Sequence, residues 1–128
     1  MKIYGIGTDI VSVDRIKKSL KNNDFISRIF SKQEITKCKK LSNLNNCYAK
    51  RFAAKEAFAK SIGTGFRDNF NFKDISIIND KFGKPSFQIN QKIINIVKKK
   101  FKISSFNFFL SISDEKKYSI AYVILQKK

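Results

Sequence analysis

An α+β domain with a mainly antiparallel sheet, packed with helices, is the fold that the sequence predicts. Two observations carry it. Strand-like runs follow one another directly at the end of the chain, in FNFFLSIS and YSIAYVIL. Helical periodicity, by contrast, fills most of 12–62. Strands and helices are thus grouped rather than strictly alternating, which is not the order of a parallel α/β sheet. With 128 residues, 42% of them hydrophobic, the chain has material for one core and not for two, so 1–128 reads as a single domain. No repeat, low-complexity tract or linker interrupts it, and Pro85 is the only proline.

Each element has a local cause. Residues 2–7 (KIYGIG) alternate as a short strand, with glycines that allow close approach. Residues 12–22 form a helix with Ser12 as N-cap and an apolar stripe of Val13, Ile16 and Leu20. Arg15, Lys17, Lys18 and Lys21 take its other side. Residues 24–30 continue helical, and Ser31 with Glu34 makes a capping box for the next helix. The central helix spans 47–62 and breaks at Gly63-Thr64-Gly65. Residues 74–79 alternate as a strand, 80–85 (DKFGKP) turn, and SFQI returns. Residues 91–102 are helical, with Ile93, Ile94, Val97 and Phe101 on one face. The last two strands form a hairpin through DEKK.

The composition narrows the chemistry. Lys and Arg number 27 against 10 acids, a net charge of +17. Such a balance suits an acidic partner: nucleic acid, an anionic membrane, an acidic protein or a phosphate-bearing ligand. Nearly all the positive charge is lysine among many asparagines, a codon-biased composition, so charge alone selects no partner. The chain has no histidine, which excludes a Ser–His triad and leaves acid–base work to carboxylates, lysines, tyrosines or water. Cys38 and Cys47 form no CxxC pair, and a reduced, cytoplasmic chain is the simple expectation. No apolar run approaches the roughly 20 residues of a membrane helix, and Asp9 interrupts an N-terminus too short for a signal peptide.

Two glycine patterns carry no function. Gly5-x-Gly7 lacks the third glycine of a dinucleotide fingerprint, and Gly83-Lys84-Pro85 lacks the spacing and hydroxyl of a P-loop. Two acids are more informative. Asp9 ends an apolar, glycine-containing strand, where a helix cap is the ordinary reading. Glu56 sits in RFAAKEAFAKS, an alanine-rich segment, where pairing with Lys60 four residues on is the ordinary reading. Taken singly, each acid is structural more often than not. Together, a strand-end and a helical carboxylate suit one magnesium ion, which takes one or two protein carboxylates and fills its shell with water and phosphate oxygens. Arg51, Lys55 and Lys60 surround Glu56 in sequence, and Gly63-Thr64-Gly65 offers backbone N–H groups nearby. The combination points to a phosphate–metal site.

Four runs occur in order along the chain: GIGTDIVSVDRI (5–16), RFAAKEAFAKSIGTG (51–65), NDKFGKP (79–85) and SISDEKKYSIAYVIL (111–125). With them the chain resembles the bacterial holo-[acyl-carrier-protein] synthases, small 4'-phosphopantetheinyl transferases, over essentially its whole length. The resemblance implies transfer of the 4'-phosphopantetheine arm from coenzyme A to a serine of apo-acyl carrier protein, in support of fatty acid biosynthesis. It implies an α+β fold and a homotrimer with active sites between protomers. By resemblance Asp9 and Glu56 hold magnesium on the pyrophosphate, and Lys60 lies at the same phosphates. Asp9, Glu56 and Lys60 are then the catalytic set. Arg51 helps bind the 3'-phosphate, while Gly63, Thr64, Gly65, Lys84 and Pro85 line the adenine side. The first helix docks the acidic carrier protein through Arg15, with Lys18 beside it. The serine proton goes to a water on the metal or to Glu56. Asp114 stands where many such proteins have histidine, and Lys116 or Lys117 is expected to compensate beside the phosphate.

Two competing readings have distinct signatures. A basic nucleic-acid-binding domain needs its 13 phenylalanines displayed among the lysines, whereas most sit at core periodicity. An inactive scaffold that only docks the carrier has no need of Asp9, Glu56 and Lys60, all of which are present. Neither nucleic acid nor a membrane is the expected partner.

Overall fold

The computed structural model of the protein describes residues 2–63 and 70–128. The chain runs β1 (Lys2–Ser12), α1 (Val13–Ser19), α2 (Asn23–Ile29), α3 (Lys32–Lys39) and α4 (Leu44–Ile62). A 3-10 turn (Phe72–Asp74) leads into β2 (Ile75–Asn79), β3 (Pro85–Ile89), α5 (Gln91–Phe101), β4 (Phe106–Asp114) and β5 (Tyr118–Lys127). Two antiparallel sheets result, one ordered β1-β5-β4 and one made of the β2-β3 hairpin. The predicted α+β architecture with antiparallel pairing is the observed one.

The first strand is longer than its pattern predicts. Pairing with β5 carries β1 on through Asp9, opposite Ala121, to Ser12, opposite Tyr118. Ser12, not Asp9, caps α1, its side chain accepting from the Arg15 N–H. Asp9 therefore stands within a strand and is not occupied as a cap. Strand alternation puts Gly7, Asp9 and Val11 on one face and Ile6, Thr8 and Ile10 on the other. The first face packs on α4.

That contact explains the alanines and glycines. Ala53, Ala54, Ala57 and Ala59 are buried along α4. A Cβ added to Gly5 would overlap the Ser61 carbonyl oxygen, and one on Gly7 the Ala57 carbonyl oxygen. Strand and helix backbones thus meet more closely than any larger residue permits. The remaining core forms two clusters that share Phe87 and Phe108 at their edges. Phe58 binds them, with ring centroids 4.2 Å from Phe108 and 4.9 Å from Phe87. Among the described phenylalanines only Phe82 and Phe109 are strongly exposed, and most of the others pack in the core.

The Ser31–Glu34 capping box forms as predicted, but Glu34 does more than cap. It is buried and pairs with the equally buried Lys55 at 2.6 Å. Lys55 also donates to the carbonyls of Ile29, at 2.8 Å, and Phe72, at 3.0 Å. The second Glu34 oxygen accepts from the Ile77 N–H at 3.1 Å. One cation and one acid thus join α2, α3, α4 and β2.

The cysteines differ from expectation. Cys38 on α3 and Cys47 on α4 are joined as a disulfide, Cα to Cα 5.5 Å, rather than standing as free thiols. The short connection between α3 and α4 folds them together, a proximity that their nine-residue separation does not announce. Among the described residues, no helix is long and apolar enough to cross a membrane.

Candidate functional site

Asp9 and Glu56 come together in a groove of about 380 Å³ between β1, α1, α2 and α4. Asp9 reaches it because β1 lies against α4, and Glu56 and Lys60 follow one turn apart on the helix. Lys60 Nζ lies 3.0 Å from Asp9 Oδ1 and 3.0 Å from the Thr8 carbonyl oxygen. Its ion pair is therefore with the strand, not with Glu56 as an i,i+4 reading predicts. Glu56 is half-buried. Desolvation raises its pKa above the ordinary carboxylate value, the neighbouring Asp9 raises it further, and Lys60 opposes both. Two carboxylates that disfavour each other's charge make a ready cation site. The described residues contain no cluster of three metal-ligating acids, cysteines or histidines. Two carboxylates fit magnesium nonetheless, because phosphate oxygens and water complete its shell.

The rest of the groove is mostly apolar, with Arg15 and Ser19 at its α1 side. Ile10, Val11, Ile16, Phe25 and Phe52 line it beside the acids, and Phe25 and Phe52 lie with ring centroids 6.0 Å apart. Arg15 lines its α1 edge, and Lys18 is exposed farther along the same helix.

Arg51 is not in this groove. It borders a separate pocket of about 440 Å³ with Lys37, Lys50, Asn79, Lys81, Gly83, Pro85 and Asp114. Arg51 is only 4% exposed, and its Nη1 donates to the Cys47 carbonyl oxygen and Sγ, each at 3.1 Å. Arg51 Nη2 donates to Asn79 Oδ1 at 3.1 Å, and Lys37 Nζ donates to the same oxygen at 2.9 Å. Burial lowers the pKa of Lys37, and the charges of Arg51 and Lys50 lower it further. Pro85 lines this pocket as well. Lys84 stays exposed outside it, its N–H held by Asp80 Oδ1 at 2.9 Å.

Three sequence expectations need correction. Lys55 belongs to the buried Glu34 pair and not to a phosphate site. The Gly63 N–H is not free, because it caps α4 by donating to the Ala59 and Lys60 carbonyls, each at 3.1 Å. Gly63 contributes the turn, with φ 75°, rather than a donor. Thr64 and Gly65 lie outside the described residues. Lys116 does not line the Arg51 pocket; it lines a different depression with Asp14 and Lys17. Lys37 was not legible as a site residue, because it lies in none of the four runs; Asn79 opens the run NDKFGKP, but the 42 positions between the two hide their pairing.

Comparison with known proteins identifies the family and the fold. A family model described as the 4'-phosphopantetheinyl transferase superfamily matches residues 5–123. A holo-[acyl-carrier-protein] synthase of Pelagibacter ubique is 71% identical over 128 residues, covering 100% of both chains. A crystal structure of the synthase from Neisseria meningitidis superposes with a TM-score of 0.87 at 41% identity, covering 98% of this chain and 100% of that one. The Bacillus anthracis synthase, solved in complex with CoA (3',5'-ADP), gives 0.82 at 36% identity and covers 98% of each chain.

Proposed function

The chain belongs to the 4'-phosphopantetheinyl transferase superfamily, and from that premise we infer a holo-[acyl-carrier-protein] synthase activity. It transfers 4'-phosphopantetheine from coenzyme A to a serine of apo-acyl carrier protein. The serine oxygen bonds to the β-phosphorus, the pyrophosphate bond breaks, and adenosine 3',5'-bisphosphate leaves. The observation that carries this reading at the level of the site is the Asp9–Glu56–Lys60 groove, with Lys60 Nζ 3.0 Å from Asp9 Oδ1.

Asp9 and Glu56 would hold magnesium there, and the ion supplies charge stabilisation on the pyrophosphate. Lys60 stands at the groove with its side chain 54% exposed and paired with Asp9, and from there it would neutralise charge on the departing phosphate. Arg51 and Pro85 bind the nucleotide end in the second pocket. Arg15 and Lys18 on α1 receive the acidic carrier, and Arg15 borders the groove, so a carrier docked on α1 brings its serine to the phosphates.

The two pockets share no lining residue, which favours a site completed by a second protomer. An apolar outer sheet face favours the same assembly: Ile6, Ile10, Phe109, Ile120 and Tyr122 are all exposed there. A homotrimer is therefore the proposed state, built from one domain per chain. The cytoplasm is the proposed location, where soluble carrier and coenzyme A are both at hand.

The test is the mass of the carrier. Protein, apo-acyl carrier protein, coenzyme A and magnesium are mixed, and the carrier is weighed intact. The reading expects a gain of one phosphopantetheine, abolished by chelator. Coenzyme A that fails to bind, with no mass gain, overturns it.

A further inference from the structure

We propose that Lys37, held by Asn79 in register with Arg51, is a second cation for the 3'-phosphate of coenzyme A and sets the preference for that donor over 3'-dephospho-coenzyme A. The inference rests on the reading that the nucleotide end occupies the Arg51 pocket.

Three features of that pocket support it. First, it carries more positive charge than the protein itself neutralises. Lys37, Lys50, Arg51 and Lys81 line it against Asp80 and Asp114. The Asp80 carboxylate is already engaged by the N–H groups of Phe82 and Lys84. No ion pair reaches Lys37 or Arg51 among the described residues. Second, both cations converge on one neutral acceptor. Asn79 Oδ1 receives Arg51 Nη2 and Lys37 Nζ, and Asn79 Nδ2 donates to the Gly83 carbonyl oxygen at 3.0 Å. An amide oxygen orients the two cations without cancelling their charge, which leaves them able to attract an anion. Third, Arg51 itself keeps a spare donor. Arg51 Nε is buried and has no hydrogen-bond partner among the described residues.

The scaffold fixes this arrangement from both sides. Lys37 precedes Cys38, whose disulfide to Cys47 ties α3 to α4 one turn before Arg51. Asn79 ends β2, where pairing with Pro85 holds the turn. Lys37 itself is exposed, so it reaches a ligand without unpacking the core. It is a binding residue in this account, and Asn79 is a positioning residue.

The experiment compares the two donors on the full chain, wild type against Lys37→Met and Asn79→Ala. The wild type is expected to favour coenzyme A. In Lys37→Met the KM for coenzyme A is expected to rise about tenfold, the scale of one charge-assisted hydrogen bond, while the KM for dephospho-coenzyme A stays near its starting value. Asn79→Ala should narrow the same ratio. If the wild type does not discriminate, no 3'-phosphate is read, and the pocket assignment falls together with Lys37. If the wild type discriminates and Lys37→Met discriminates equally, only the Lys37 assignment falls. Parallel loss with both donors also overturns it, because a purely structural role weakens both alike.

Discussion

Glu56 is a half-buried acid whose nearest charges are one acid and one lysine. Burial and Asp9 hold its carboxyl above the ordinary value of 4.5. Its contribution to folding is therefore complete at low pH and fades as pH climbs from that value through the raised one. The metal-free wild type is expected to lose melting temperature relative to Glu56→Gln across that window. Magnesium should raise the melting temperature of the wild type at neutral pH and leave Glu56→Gln nearly unmoved. The same variant should lose roughly 10²-fold or more in kcat/KM. Thermal melts with and without chelator check the first part, and a larger magnesium shift in the variant would refute it. Asp9 and Glu56 stood out in sequence because a strand-end and a helical carboxylate together suit one cation, and the structure brings both into one groove with Lys60. Lys55 was misread because charge next to charge on a helix says nothing of which face is inside. It is buried, its pKa lowered by desolvation and sustained by Glu34. Replacing it with methionine strands Glu34 and should cost about 3–5 kcal/mol in urea unfolding; a loss under about 1 kcal/mol would contradict a true buried pair.

At the scale of elements, the site depends on how closely β1 lies on α4. Gly7 stands two residues before Asp9 on the same strand face, directly over the Ala57 carbonyl. Adding a methyl group there forces the strand off the helix. Gly7→Ala is expected to destabilise by about 1–3 kcal/mol and to lower activity well beyond its folded fraction, since Asp9 moves away from Glu56 and Lys60. Activity per folded molecule, measured beside a circular dichroism melt, separates the two effects. Full activity in the folded fraction would show that the close contact serves packing alone. The pairing of small residues was readable as glycines allowing close approach, but not its partner. The length of β1 was also hidden, because Asp9 breaks the apolar pattern while β5 continues to supply pairing as far as Ser12. Alternation reports burial, and an acid facing a functional groove looks like the end of a strand.

At the scale of the molecule, the groups proposed to bind phosphate divide between two pockets that share no lining residue. Among the described residues, the sheet has one face on α4 and the other uncovered, with Ile10 opposite Ile120 and Thr8 opposite Tyr122. Ile6 and Ile10 remain 58% and 61% exposed. An exposed apolar face of this kind is what assembly covers. If assembly also joins the Asp9–Glu56–Lys60 groove of one protomer to the Arg51 pocket of its neighbour, complementation follows. Glu56→Gln and Arg51→Gln chains, each inactive alone, should recover activity when coexpressed. In randomly mixed trimers about a quarter of the sites would pair an intact groove with an intact pocket. Sites contained within single protomers would recover none. Ile6→Lys supplies the companion measurement: it should shift the protein towards monomer in sedimentation and abolish turnover, while the isolated groove still binds magnesium. Full activity in a monomeric Ile6→Lys chain would mean that one protomer suffices and that the bare sheet face serves something other than catalysis.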